Sequence, residues 1–386
     1  MRNLASIQKI SRLEEIPEAK NVIKAFVLGW EIVVKKNEFK PGDLCVFFET
    51  DSLLPKDNTV FSFMESRKFR VKTVKLAGQI SQGLALPISM FPEIADSEIK
   101  EGLDLTERLK IEKYEKEEET FVEPKININS HILKFVLKYK VMRKLILPFI
   151  SKSKRTFPSR IISESDETRI QCMPGILEKE KDSIFIATEK LEGCSATFTI
   201  NRTCLFWTSV SVCSRKRNLP RSQNIWWNMY DDYCIQSYLK WIIALLGMNV
   251  KSVGIQGEII GPKICKNIYS LKGHDLYIYR LKINYRNGNV KFLNHYEMQD
   301  LFESIRKEFG IYAKLKVVPV LWEGILKGFK DVNAILEFAN GFSKLKQDQL
   351  REGLVFSKLR DPSVSFKAVS REYLIWKNKK EDEFNI

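Results

Sequence analysis

Between two stretches rich in short strand-like runs lies an interval of a different kind. Glu112 to Glu119 is dense in charge, and a basic segment from Ile132 to Lys154 comes next, with apolar Ile132, Phe135, Val136, Tyr139 and Met142 at helical spacing. A linker helix packed between two domains is the expectation. The length of 386 residues agrees, being more than one compact core usually holds. The expected division is residues 1–110, a basic helical linker over 111–160, and 161–386.

The first unit has the composition of a small β domain. Val22 to Val27, Glu31 to Val34, Cys45 to Phe48, Val71 to Leu76 and Gly83 to Pro87 are strand-like, and Lys40-Pro41-Gly42-Asp43 supplies a turn. Five or so short strands suit a small barrel of the OB type. Over Lys68 to Lys75 basic side chains recur at about every second position, which on a strand is one face. That face suits a phosphate backbone, and equally a solvated strand surface.

From about residue 160 strands and helices alternate. Strands are expected at Ile184–Ala187, Ala196–Ile200, Leu205–Val212, Val253–Ile260, Leu276–Tyr285, Val317–Leu321, Gly353–Lys358 and Val364–Val369. Helices are expected over Gln223–Leu246, His295–Phe309 and Asp331–Ala339.

The formal charge of +15 favours a polyanionic partner through long-range attraction and counterion release, although an acidic membrane surface would be served equally. Seven dispersed cysteines without a CxxC pair, and only three histidines, argue against a zinc site and for free thiols in a reducing compartment. The N-terminus has no signal-peptide pattern, and Leu133 to Ile150, the most apolar stretch, carries five basic residues and does not read as a membrane span. An intracellular protein, cytoplasmic or nuclear, is expected.

The chemistry centres on Glu189-Lys190-Leu191-Glu192-Gly193, which sets a lysine at a strand end with an acid two residues on and then glycine. An amine that attacks phosphorus must be unprotonated, and nearby positive charge, including a metal, frees its lone pair. Gly193 lets the chain turn so that the amine enters a pocket.

Further short motifs succeed this one in a fixed order along the chain. Lys190-Leu191-Glu192-Gly193 resembles motif I (K-x-D-G) of the covalent nucleotidyltransferases, the superfamily of ATP-dependent ligases and capping enzymes. Ser214-Arg215 resembles motif Ia, Gln256-Gly257-Glu258-Ile259-Ile260-Gly261-Pro262 the GE-x-x-GP block of RNA ligases, and Leu276-Tyr277-Ile278-Tyr279 motif III. Glu352-Gly353-Leu354-Val355 resembles motif IV, and Ser365-Phe366-Lys367 motif V. Gly29 to Lys36, Pro41-Gly42-Asp43-Leu44, Phe69 to Thr73 and Gln79 to Leu84 are similar to the RNA ligase subgroup with an OB domain before the transferase domain. Asp166-Glu167-Thr168-Arg169-Ile170-Gln171 resembles that subgroup's D-E-x-R-x-Q stretch.

The resemblance implies an α+β fold: an OB-type β-barrel, then an α+β nucleotidyltransferase domain with antiparallel sheets. It implies Lys190 as nucleophile, with Lys367 and Glu352 as further catalytic groups. Glu189, Arg169, Gln171, Arg215, Glu258, Tyr279 and Lys367 would bind ATP, and Glu192 and Glu352 would hold Mg²⁺ or Mn²⁺. Tyr277 remains an alternative to Tyr279 for stacking on adenine, and a structural ion pair is the alternative for Glu258. Three positions depart from the pattern: Glu192 and Arg280 stand where relatives have Asp, and Ser365 where many have a second lysine. The implied activity is sealing of RNA 3′-hydroxyl and 5′-phosphate ends through lysyl-AMP and RNA-adenylate, in RNA repair. The partner would be RNA with nicked or broken ends, or mixed RNA–DNA nicks, and the enzyme a monomer. The rivals are a DNA ligase or capping-type transferase, which usually continue past motif V into a further OB domain, and a non-catalytic RNA-binding protein.

Overall fold

The computed structural model describes residues 3–114, 156–202 and 207–384. The helix expected over 132–154 therefore lies outside the described residues, as do positions 205 and 206 of the strand expected at Leu205–Val212.

The N-terminal unit is built on one long strand. Ala5–Glu15 pairs through its first half with Leu44–Phe48 and through its second half with Val22–Val27, the switch falling at a bulge between Ile10 and Arg12. An extra residue in one strand bends it, so the sheet curls there. Trp30–Lys35 and Leu84–Pro87 complete a five-stranded antiparallel sheet as its two outer strands. Its two faces carry separate apolar clusters, one around Val46, Phe48, Phe61 and Phe91, the other around Trp30, Ile32 and Phe47. The expected OB-type architecture is present as a curled half-barrel.

One expectation fails here. Thr59–Arg67 forms a 3-10 helix, and Lys68 and Phe69 have φ of 52° and 57°, so the chain is still turning where a strand was expected. The strand starts only at Thr73 and pairs with Gln79–Gln82. The basic residues of 68–75 therefore do not share one strand face.

The second unit holds two antiparallel sheets. One has four strands in the order Val320–Ile325, Ile184–Lys190, Gly353–Lys358, Ser365–Val369. Its back is covered by Val332–Ala339, which buries Ile335, Leu336 and Ala339 against Phe185, Phe356 and Phe366. The other runs Thr208–Cys213, Cys194–Arg202, Val250–Ile260, Asp275–Tyr285, Val290–Phe292, with the short Lys316–Val317 pairing in parallel against Asp275–Tyr285. Helices Ile225–Asp232, Ile235–Leu245 and His295–Glu308 cover its back. The expected single helix over Gln223–Leu246 is thus two. Cys234 adopts φ 52° between them, and the neighbouring Tyr233 hydroxyl is tied to Asp275. His295–Glu308 starts where its composition directs, at an Asn294–Glu297 capping box.

Lys190 ends a strand of the four-stranded sheet, and Cys194 opens a strand of the six-stranded sheet, so residues 191–193 are the crossover between them. That crossover sets where the Lys190 amine can reach.

A final helix, Arg371–Phe384, is rich in charge and was not expected. It joins the two units. Arg371 donates to Glu31 at 3.2 Å and to Gln82 at 3.1 Å, and Asn378 donates to the Thr73 carbonyl at 2.8 Å. Across the same junction Arg169 pairs with Asp51 at 3.0 Å, and Gly29 N–H donates to the Gln171 carbonyl at 2.9 Å. A Cβ on Gly29 would lie 2.8 Å from the Gln171 backbone, so the junction needs glycine. Among the described residues no helix is long and apolar enough to cross a membrane.

Candidate active site

A cleft of about 1280 Å³ opens between the two sheets of the second unit, with one wall extended by Asp51, Arg70, Lys72, Lys113 and Tyr114 of the N-terminal unit. Of the ten site residues expected from the sequence, nine line it: Arg169, Glu189, Lys190, Glu192, Arg215, Glu258, Tyr279, Glu352 and Lys367. Gln171 does not. It is fully buried at the junction with Gly29, and its side-chain amide has no hydrogen-bond partner among the described residues.

The Lys190 cluster is acidic. Lys190 pairs in register with Gly353, which brings the preceding Glu352 beside it, with Nζ to Oε2 2.7 Å. Gly353 has φ 151°, and a Cβ there would lie 2.2 Å from the Ala368 carbonyl oxygen, so a side chain is excluded. The crossover is equally tight: a Cβ on Gly193 would lie 2.3 Å from the Ile259 carbonyl oxygen and 2.9 Å from the Glu258 side chain. The Glu192 N–H donates to the Tyr269 hydroxyl at 2.9 Å, fixing the turn from the far side. These constraints hold Lys190, Glu192 and Glu258 together.

Burial raises the carboxyl pKa of Glu258 to about 8, with Lys190 opposing and Glu352 reinforcing the shift. Burial also raises Glu192, against the pull of Lys377. For Glu352 burial is outweighed by Lys190 and Lys377, and its pKa is lowered. Glu189 alternates to the other side of the strand; its Oε2 accepts from the Lys344 N–H at 2.8 Å, and burial raises its pKa.

Lys377, from the final helix, pairs with Glu192. No sequence motif assigned it to the site. Its pKa is raised, because Glu192 and Glu352 outweigh the cost of burial, so it stands as a fixed cation. Nothing local could have marked it, since 185 residues separate the partners.

A second cluster in the cleft is organised by Asp166. Its carboxylate takes Lys367 at 2.7 Å, Lys113 at 2.6 Å and Arg215 at 3.4 Å. Although burial opposes it, these cations, Lys367 foremost, hold the carboxyl well below its usual range. Lys367 is drawn down to about 7, chiefly by burial, with Arg169 and Lys190 adding and Asp166 opposing. Asp166 belongs to the acidic pair just ahead of Arg169 in the chain, and that proximity was the signal that it too belonged to the site.

The two tyrosines separate. Gln256 pairs with Arg280 and Gly257 with Ile278, so Tyr279 is the extra residue of a bulge, a device that re-aims a side chain. Tyr279 lines the cleft, its hydroxyl 3.0 Å from Ser195 Oγ, whereas Tyr277 is not among the lining residues and has Lys316 over its ring.

Among the described residues no three carboxylate, imidazole or thiol groups gather round one point. Glu192 and Glu352 are the acids beside Lys190 that could offer oxygens to a divalent cation, donors of the kind that suits Mg²⁺ or Mn²⁺.

Residues 183–369 match a family described as RNA ligase, and residues 4–88 one described as an OB-fold domain. No curated protein matches the chain. Among solved structures, an apo mutant of Naegleria gruberi RNA ligase is 30% identical, with 97% of this chain and 98% of that one covered and a TM-score of 0.78. A mutant of the same ligase with ATP and Mn is 30% identical over 96% and 98% of the two chains, at a TM-score of 0.77. That ligase with PPi is also 30% identical, over 98% and 100%, at 0.77.

Proposed function

The chain belongs to the RNA ligase family, and from that premise we propose that it joins RNA 3′-hydroxyl and 5′-phosphate ends at the expense of ATP, with Lys190 as the adenylated residue. The observation that carries this reading is the position of Lys190: it ends a strand at the crossover between the two sheets, with its amine 2.7 Å from Glu352, in a cleft that also gathers Lys113, Arg215 and Lys367 on Asp166. The solved relative is named with ATP, with Mn and with PPi, which are the reactants and product such a reaction needs.

In the first step Lys190 Nζ attacks the α-phosphorus, an N–P bond forms, and pyrophosphate leaves in line. Lys367 and Arg215 neutralise the phosphate charge, and Arg169 backs them from the junction. Tyr279 presents its ring to the adenine and Glu258 accepts from the ribose hydroxyls. A divalent cation taken up by Glu192 and Glu352 would supply positive charge beside Lys190 and favour its neutral, nucleophilic amine. The AMP then passes to the RNA 5′-phosphate, and a 3′-hydroxyl displaces it. Each step is a substitution at phosphorus, so alignment and charge neutralisation carry it. The enzyme acts as a monomer, in cytoplasm or nucleus, on nicked or broken RNA in repair, and a mixed RNA–DNA nick fits the same chemistry.

Incubation with α-labelled ATP and Mn²⁺ or Mg²⁺ should leave a covalent label that Lys190→Ala abolishes. A label that survives the substitution overturns the assignment. A panel of nicks differing in sugar at each end then defines the substrate, and equal sealing of an all-DNA nick would remove RNA from the description.

A further inference from the structure

Ser365 and Lys367 lie on one strand two residues apart, so their side chains face the same space in the cleft. Ser365 carries no charge. The facing sheet supplies one: Arg280, just past the Tyr279 bulge, reaches the same space. Both side chains converge on a single carboxylate. Glu167 accepts from Arg280 Nη2 with one oxygen and from Ser365 Oγ with the other. Arg280 Nη1 also donates to Gln256 Oε1 at 3.3 Å.

Two contacts use only part of the five N–H donors of a guanidinium, and Arg280 keeps 17% of its side chain accessible in the cleft. Burial lowers the pKa of Arg280, a cost to its charge that an anion in the cleft would offset. A planar donor fork held in a cleft that an ammonium also lines is a phosphate-binding arrangement.

We propose that Arg280 is a phosphate-binding residue of this enzyme, posted across the cleft from Lys367 and held in place by Glu167 and Ser365. Its ligand is a phosphate oxyanion, of the bound nucleotide or of the RNA end. Glu167 is a positioning residue: it takes one edge of the guanidinium and leaves the other to the ligand. Ser365 completes the hold on Glu167 and leaves room for the arginine. A cation at 365 and a cation at 280 are therefore interchangeable solutions to one charge requirement, and this rests on the RNA-ligase reading.

The test is a rescue experiment in two arms, with melting temperature measured for every variant. The first arm is covalent labelling of Lys190 with α-labelled ATP; the second is sealing of a pre-adenylated RNA nick, which bypasses ATP. Arg280→Ala should slow at least one arm by about tenfold or more, and the arm affected identifies the phosphate. The double variant Arg280→Ala with Ser365→Lys should recover to within about threefold of the unsubstituted enzyme. A lysine at position 365 would also meet Glu167, so a rate recovery that merely tracks a recovery in melting temperature overturns the phosphate role, whereas one that exceeds it supports it. Should Arg280→Ala fail to fold, Arg280→Gln with and without Ser365→Lys makes the same comparison. Unchanged rates in both arms, or a folded double variant no faster than the single, overturn the inference. Because both outcomes are scored against an unsubstituted enzyme that labels on Lys190, they are distinct from failure of the ligase reading, which would show as no label at all.

Discussion

Two clusters in the cleft, one around Lys190 and one around Lys367, use the same residue types to opposite effect. Around Lys190 the acids outnumber the cations: Glu192, Glu258 and Glu352 share Lys190 and Lys377. Around Lys367 the cations outnumber the acids, with Lys113, Arg215 and Lys367 on Asp166. The first is built to take up positive charge and the second to take up negative charge.

The largest expected effect separates the two lysines by function. Lys190→Ala should abolish the covalent label yet leave the ATP dissociation constant within about threefold, whereas Lys367→Ala should weaken ATP binding by about a hundredfold. Calorimetry of both variants checks this, and equal losses would erase the distinction between the clusters.

The pH dependence comes next. Lys367, at about 7, and Glu258, at about 8, both lose a proton as pH rises from about 6 to about 9, and each loss makes the cleft less positive. ATP affinity should therefore fall over that range. Lys367→Arg should remove the earlier component and leave the one near 8, because arginine stays charged. Stability runs the other way for the lysine. Between its folded value and its ordinary value near 10.5 the unfolded chain binds more protons, so the cost of burying Lys367 shrinks as pH rises. Melting of the unsubstituted enzyme relative to Lys367→Met should rise with pH in that window.

Asp166→Asn should lower the melting temperature by about 2–4 °C, since three cations lose their shared anion. The smallest effect belongs to Lys377→Ala. Removing the ammonium that competes for Glu192 should lower the Mn²⁺ concentration for half-maximal labelling by about threefold, and an increase instead would make Lys377 part of the cation site rather than its competitor.

What the sequence made legible was whatever is bounded locally. Val22–Val27 and Gly353–Lys358 fall where expected because turns flank a continuous apolar run. Ala5–Glu15 was passed over, since Gln8, Lys9, Ser11 and Arg12 dilute a strand that bends and serves two partners. The strand expected at 71–76 lost its start to a left-handed cap at Lys68, a backbone state that no side-chain pattern announces. In the cleft, motif order found residues near the crossover. Lys377 and the Arg280–Glu167–Ser365 cluster were missed as partners because their proximity is created by tertiary pairing. The positions that looked like defects, Arg280 and Ser365, turn out to meet at one carboxylate.

The final helix has a consequence for how the protein is made. Its Arg371 closes on Glu31 across 340 residues, and its Lys377 on Glu192 across 185. During synthesis the N-terminal unit can form its sheet core long before that helix leaves the ribosome. The four-stranded sheet of the second unit needs Ser365–Val369, which directly precedes the helix, and the seam and the charge balance beside Lys190 need the helix itself. The nascent chain therefore carries an unclosed cleft until Arg371–Phe384 is released, so the contacts that complete it form after both sheets that line it.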